Sequence, residues 1–426
     1  MPCVTVRSVV TWYPAPQKYE SFSRTISQFT RLIFPEENAN MQGLPYWRLS
    51  SFYFAYFGFV GAFTPFWSLY LKSLTFSAFQ IAILMSLFQV ARIFAPSLWG
   101  WLADHTGRRA YIIRWLAAFS LLSYTGVFFG ESFSWLFVVM LLLSFFWSAS
   151  LPLIEAITLG HLGDRFDRYG HIRMWGSIGF ILAVVGLGYV LEHANIKVLL
   201  WVAFGLLAAV LLLSRYIFEP LITVKHADSS SIWTILRRRE VMALMAACFS
   251  MAAAHGVYYT FYSIYLVDHG YSTGQVGGLW ALGVICEILI FLYMPRLTAR
   301  FGLRCILLAS LGLAFIRFFV IGWAVEWWWL MVLAQTLHAA TFGSYHAAAV
   351  ALTHRYFRGP HQSKGQGLYT SVSYGLGGTF GAVMSGLAWE ELGPSWTFTL
   401  SAACALVGMV LFAWLMPHEP RTSKQG

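Results

Sequence analysis

The chain has 426 residues, of which 58% are hydrophobic and 11% charged, and its mean hydropathy is +0.63. That excludes an ordinary soluble globule and implies one integral membrane bundle, whose lipid-facing surface needs no polar coat. The formal charge of +10 is no sign of nucleic acid, because the basic residues are dispersed among short loops, where they act as topology signals and contacts to anionic lipid.

Residues 1–44 are polar and Ser-rich, carry Pro14, Pro16 and Pro35, and lack the apolar stretch of a signal peptide. They are expected to form a disordered cytoplasmic tail, with Met41 as an alternative start. A spanning helix needs roughly 20 apolar residues. Twelve segments qualify: 47–71, 78–102, 110–129, 134–159, 172–191, 197–218, 241–267, 274–294, 305–324, 328–352, 365–389 and 396–416. The expected fold class is therefore all-α integral membrane, with twelve transmembrane helices in two six-helix halves, 45–218 and 241–416. A polar linker, 219–240, joins the halves, and 417–426 forms a second cytoplasmic tail.

The halves repeat one another. Residues 66–71 read FWSLYL and residues 261–266 read FYSIYL, an offset of 261 − 66 = 195. The same offset carries Gln80 onto Gln275, and Gly107-Arg108-Arg109 onto Gly302-Leu303-Arg304. A hydrophobic chain that repeats in the same direction at half-length is expected to be two pseudo-symmetric lobes of one transporter. The repeat places Arg92 opposite Glu287.

Arg108, Arg109, Arg114, Arg165, Arg168, Arg215, Arg237, Arg296, Arg300, Arg355 and Arg358 all fall on the side reached after even-numbered spans. The opposite side offers only Lys72 and Lys197. The positive-inside rule then puts both termini and the linker in the cytoplasm.

Several charges lie inside spans, where they are costly and mark function. Arg92 stands ~18 Å along its helix from Asp104. Glu155 on span four can pair with Arg173 at the start of span five. Glu287, Arg317 and His338 occupy spans eight, nine and ten. A carboxylate beside an arginine and a histidine can exchange a proton as its neighbours move. The alternative reading of both groups is a structural ion pair or a snorkelling side chain. Arg92 has no acidic partner in its own half, and its fork suits an anionic ligand. Trp67, Tyr262, Tyr369 and Tyr374 could wall an aromatic pocket, although helix packing explains any single ring equally well. His255 and His346 need be no more than core hydrogen-bonders. In the turn after span two, Gly107 allows a sharp reversal and Asp104 can cap or latch a neighbouring helix end. Asp104, Gly107, Arg108 and Arg109 therefore read as a gate, or more simply as a topology loop.

Five scattered cysteines form neither a disulfide framework nor a metal motif. No cofactor is expected. No Ser-His-Asp arrangement or P-loop appears, which argues against an enzyme. A ligand sensor would need an output domain.

GWLADHTGRR at 100–109 resembles the loop signature of the major facilitator superfamily, and 295–304 resembles its second-half remnant. GAFTPFWSLYLKSL (61–74), DRYGHIRMWGSIGF (167–180), YYTFYSIYL (258–266), LWALGVICEILIF (279–291) and QTLHAATF (335–342) are similar to the phenylpropionate permease family, close to the oligosaccharide/proton symporters. In those symporters a substrate-binding Glu and Arg stand eighteen positions apart, as do Glu155 and Arg173, and a coupling Arg and His correspond to Arg317 and His338. The chain departs from that pattern in three places. The symporters' proton-carrying Glu is Thr341 here, their Lys is Gln335, and their sugar-stacking Trp is Phe180. The resemblance leaves Glu287 as the proton carrier. It implies a monomeric proton-coupled carrier for a small organic substrate such as an aromatic carboxylate, held by Arg92 or Arg173. A sugar or nucleoside symporter and a proton-driven exporter are the alternatives.

Overall fold

The computed structural model describes residues 44–163, 165, 168–219 and 233–416. The N-terminal tail, the middle of the linker and the tail after Met416 lie outside the described residues. Among the described residues, eight helices are long and apolar enough to cross a membrane. One of them, Thr273–Trp323, is two rods meeting at Gly302, where φ is 74°, and this raises the count to nine. The 17-residue helix Val198–Ser214 makes ten. Two further rods, 328–356 and 362–391, are interrupted by π-helical turns at Ala339–Ser344 and Ser371–Gly377; with them the described residues form twelve rods, three of which are not among the eight long apolar helices.

In chain order the rods are α1 Tyr46–Ser73, α2 Ala78–Thr106, α3 Arg109–Phe128, α4 Phe133–Leu162, α5 Tyr169–His193 and α6 Val198–Ser214. The second half holds α7 Arg239–Asp268, α8 273–301, α9 303–323, α10 328–356, α11 362–391 and α12 Pro394–Leu415. The expected all-α fold of two six-helix halves is the one observed.

The repeat is visible in local structure. α2 begins in a capping box between Ser77 and Gln80, and α8 in the same box between Ser272 and Gln275, displaced by 272 − 77 = 195. Each serine hydroxyl accepts from an N–H that has no partner within the helix, and each glutamine side chain accepts from the serine N–H in return. Both rods end at a glycine of positive φ, Gly107 at 65° and Gly302 at 74°. A side chain there would be strained, so the turn depends on glycine.

Glycine also sets the helix crossings. A Cβ on Gly61 of α1 would lie 2.5 Å from the Phe180 carbonyl oxygen of α5, and one on Gly256 of α7 would lie 2.2 Å from the Gly381 carbonyl carbon of α11. These two sites are also 195 apart (256 − 61). Backbone-to-backbone packing of this kind drives association where lipid offers no hydrophobic gain. Gly256→Ala should therefore destabilise the second half by about 1–3 kcal/mol, the usual cost of overpacking. Thermal unfolding in detergent would show it as a lowered midpoint, and an unchanged midpoint would mean that the crossing is loose.

The halves meet along α5 with α8 and α2 with α11. A Cβ on Gly277 would stand 2.5 Å from the Val184 carbonyl, and one on Gly386 2.4 Å from Ala82. The basic face of the bundle carries Asp104, Arg108, Arg304 and Arg358. On that face Arg114 donates to the Ile217 carbonyl, Arg304 to Ala413 and Arg239 to Trp414, each bond staying within one half.

Candidate functional site

The first-half group is built where two helices are broken or begin. α4 consists of Phe133–Trp147 and Ser150–Leu162, and the second piece carries Glu155. α5 starts at Tyr169 and presents Arg173 one turn later. Arg173 Nε stands 4.0 Å from Glu155 Oε1, with the side chains 29% and 35% exposed. The Tyr169 hydroxyl donates to the same carboxylate at 3.2 Å. The guanidinium lies 3.8 Å from the centre of the Phe57 ring, a cation–π contact that holds it without neutralising it.

The second-half group differs from the expected one. Glu287 is paired with His338, not directly with Arg317: Nε2 of His338 lies 2.6 Å from Glu287 Oε1. Nδ1 of His338 is buried without a hydrogen-bond partner among the described residues. Arg317 is fully buried and held by neutral acceptors. Nε donates to the Ala334 carbonyl at 3.0 Å, Nη1 to Thr341 Oγ1 at 3.1 Å and His255 Nε2 at 3.4 Å, and Nη2 to Gln335 Oε1 at 3.3 Å. Tyr258 covers its face at 4.4 Å.

His255 sits at the break between Arg239–Ala254 and Gly256–Asp268. Its Nδ1 is 2.8 Å from the Met251 carbonyl. A carbonyl only accepts, so the proton is on Nδ1, and the bare Nε2 is free to accept from Arg317. His255 and Tyr258 are not marked by the sequence as partners of Arg317. Nor are Thr341 and Gln335, which stand out there only as departures from a pattern. One signal was available: Gln335, His338 and Thr341 recur every third residue, so one helix face presents all three.

The two groups are coupled electrostatically. Arg173 of the first half lies within electrostatic range of Glu287 and His346 of the second. Tyr56 feels Arg92, Glu155 and Arg173 together. Arg92 lies 5.6 Å over the ring of Tyr374, from the other half, and its only hydrogen bond among the described residues goes to Gln89 at 3.1 Å. His346 Nδ1 takes part in bonds to the hydroxyls of Tyr369 and Tyr374 at 2.9 and 3.0 Å. Glu155, Arg173, Glu287, Arg92 and His346 all keep partial solvent access although protein surrounds them. Charges inside a span are expected to face the bundle interior or water rather than lipid, and these form the candidate chamber.

Three predicted rings are elsewhere. Trp67 and Tyr262 are fully buried and Phe180 is 8% exposed. Trp67 stacks on Phe63, Tyr262 packs on Tyr258, and the Phe180 backbone is pressed against Gly61. They support the walls rather than face open space. At the turn on the basic face, Asp104 binds Arg109 at 2.6 Å, Arg108 is exposed, and Gly107 makes the reversal. Among the described residues Asp104 caps no neighbouring helix. The Ala110 N–H in the first turn of α3 goes to Glu219 instead.

With both carboxylates ionised and the histidines neutral, the chamber and its wall carry three arginines (92, 173, 317) against two glutamates (155, 287), a net charge of 3 − 2 = +1. Such a site favours an anion.

The MFS_1 like family model matches residues 46–400. A "Probable 3-phenylpropionic acid transporter" of Escherichia coli is 31% identical over 372 residues, covering 86% of this chain and 96% of its own length. The maltose permease of Geobacillus stearothermophilus is 27% identical, covering 86% of this chain and 94% of its own. Among solved structures, the nucleoside transporter NupG superimposes with a TM-score of 0.75 at 18% identity, over 88% of this chain and 99% of that one. The twelve-rod fold and these relatives lead to one conclusion: the chain belongs to the MFS_1 like family and is a multi-pass membrane transporter of small organic substrates.

Proposed function

We propose that the protein takes up a small aromatic carboxylate together with a proton, by alternating access. The observation that carries this reading is the site's positive balance, with Arg92 beside the aromatic Tyr374 and in no ion pair among the described residues, and with a Glu287–His338 pair. A proton on Glu287 raises the balance from +1 to +2. Anion and proton therefore favour each other's binding, which is the physical requirement for moving them together. The likeness to a 3-phenylpropionic acid transporter supports the same substrate class. In this reading the basic face and both termini are cytoplasmic, the membrane is the bacterial inner membrane, and one chain suffices.

The likeness to maltose and nucleoside carriers supports a second reading, a neutral cargo, in which Arg92 is structural. Binding of an aromatic acid and of its amide to purified protein separates the two. The acid should bind at least tenfold more tightly than the amide, as a charge-assisted pair of hydrogen bonds allows. Arg92→Ala should remove most of that preference and leave amide binding unchanged. Equal affinities for acid and amide would refute the anionic cargo.

A further inference from the structure

The two halves are tied on the face opposite the basic one by a symmetric pair of contacts. Glu192, at the end of α5, accepts hydrogen bonds from the Ser272 hydroxyl and from the Gly274 N–H at 3.1 Å. Those groups are the N-cap and first turn of α8, in the other half. Glu390, at the end of α11, accepts from the Phe79 N–H at 2.9 Å. That donor lies in the first turn of α2, again in the other half. The repeat relates α5 to α11 and α8 to α2, so one device occurs twice.

The physical basis is the helix terminus. The first N–H groups of a helix have no partner within it and carry partial positive charge. The capping boxes of Ser77 and Ser272 satisfy some of them, and the glutamates of the opposite half take others. Gly274 is part of the fit, since a Cβ there would stand 2.4 Å from Glu192 Oε1. Lys72 and Asp268 add an ion pair between α1 and α7 on this face, and the Thr273 hydroxyl donates to the Gly188 carbonyl at 2.8 Å. On the basic face the bonds of Asp104, Arg114, Arg239 and Arg304 described above stay inside one half.

We propose that Glu192 and Glu390 are gating residues for transport: each carboxylate latches a helix start of the other half, and both must release before the chamber opens to that face. The proposal concerns the gate and does not depend on cargo or proton coupling. Each latch is exposed and modest in strength, so the gate is reversible. Neutralising both carboxylates at once should raise the open population about tenfold, since each weakens the hold on a helix end.

The test measures distances between spin labels attached through unnatural amino acids at positions 195 and 326, one on each half at this face, in full-length protein without substrate. In Glu192→Gln/Glu390→Gln a longer-distance population should grow about tenfold, and each single variant should give part of that rise. Glu131→Gln is the control, because Glu131 is also a carboxylate near this face but pairs with Lys197 inside its own half. It should leave the distances unchanged. An unaltered distribution in the double variant, or an equal rise in the Glu131 variant, would overturn the proposal. Either failure would leave the aromatic-acid reading standing, since that rests on acid-versus-amide binding.

Discussion

Glu287→Gln will abolish accumulation of substrate against a gradient while leaving exchange intact. The substitution preserves shape, and the amide oxygen can still accept from His338 Nε2, now 2.6 Å from the carboxylate. What disappears is the ability to gain and lose a proton. Substrate loaded on both sides should still exchange, because rocking of the halves does not require net proton movement. Under an imposed proton gradient the wild-type protein should concentrate substrate in proteoliposomes, whereas the variant should only equilibrate it. Continued accumulation by the variant would move the coupling role away from Glu287. Loss of exchange as well would mean that the pair is needed to assemble the site.

Arg317→Met will lower stability by about 2–4 kcal/mol, because buried acceptors left without a donor each cost about 1–3 kcal/mol. The Ala334 carbonyl and His255 Nε2 lose their bonds to Arg317 outright. Gln335 keeps a bond from the Tyr258 hydroxyl at 3.3 Å, and Thr341 keeps one to the His338 carbonyl at 3.4 Å, so those two losses are partial. Some of the cost is offset, since a buried cation is itself expensive. A double-mutant cycle makes the test specific. His255→Leu should cost less in the Arg317→Met background than in the wild type, because the partner is already gone. Strict additivity in thermal or denaturant unfolding would show that the 3.4 Å hydrogen bond between Arg317 and His255 carries no energy.

The linear sequence was enough for the class of molecule and the plan of its fold. Apolar runs of spanning length have only one way to satisfy their backbone in lipid, which is as helices. The repeat could be read from residue types at a constant offset, and it reappears as paired capping boxes, paired positive-φ glycines and paired helix crossings. The charged residues of the candidate site stood out for a similar reason: a charge within a span is costly wherever it points, which marks Arg92, Glu155, Arg173, Glu287 and Arg317.

Their partners were not legible. Glu287 and Arg317 look like an ion pair by composition, yet helix rotation puts His338 against the carboxylate and turns the guanidinium toward Ala334, Thr341, Gln335 and His255. Neutral residues carry no mark of what they bind. The latches are silent in the sequence for the same reason, because Glu192 and Glu390 look like ordinary surface carboxylates. The sequence by itself determined a twice-repeated helical membrane carrier with charges in its interior. The tertiary structure decided which charge meets which donor, since that depends on how neighbouring helices are rotated and how closely glycine lets them approach.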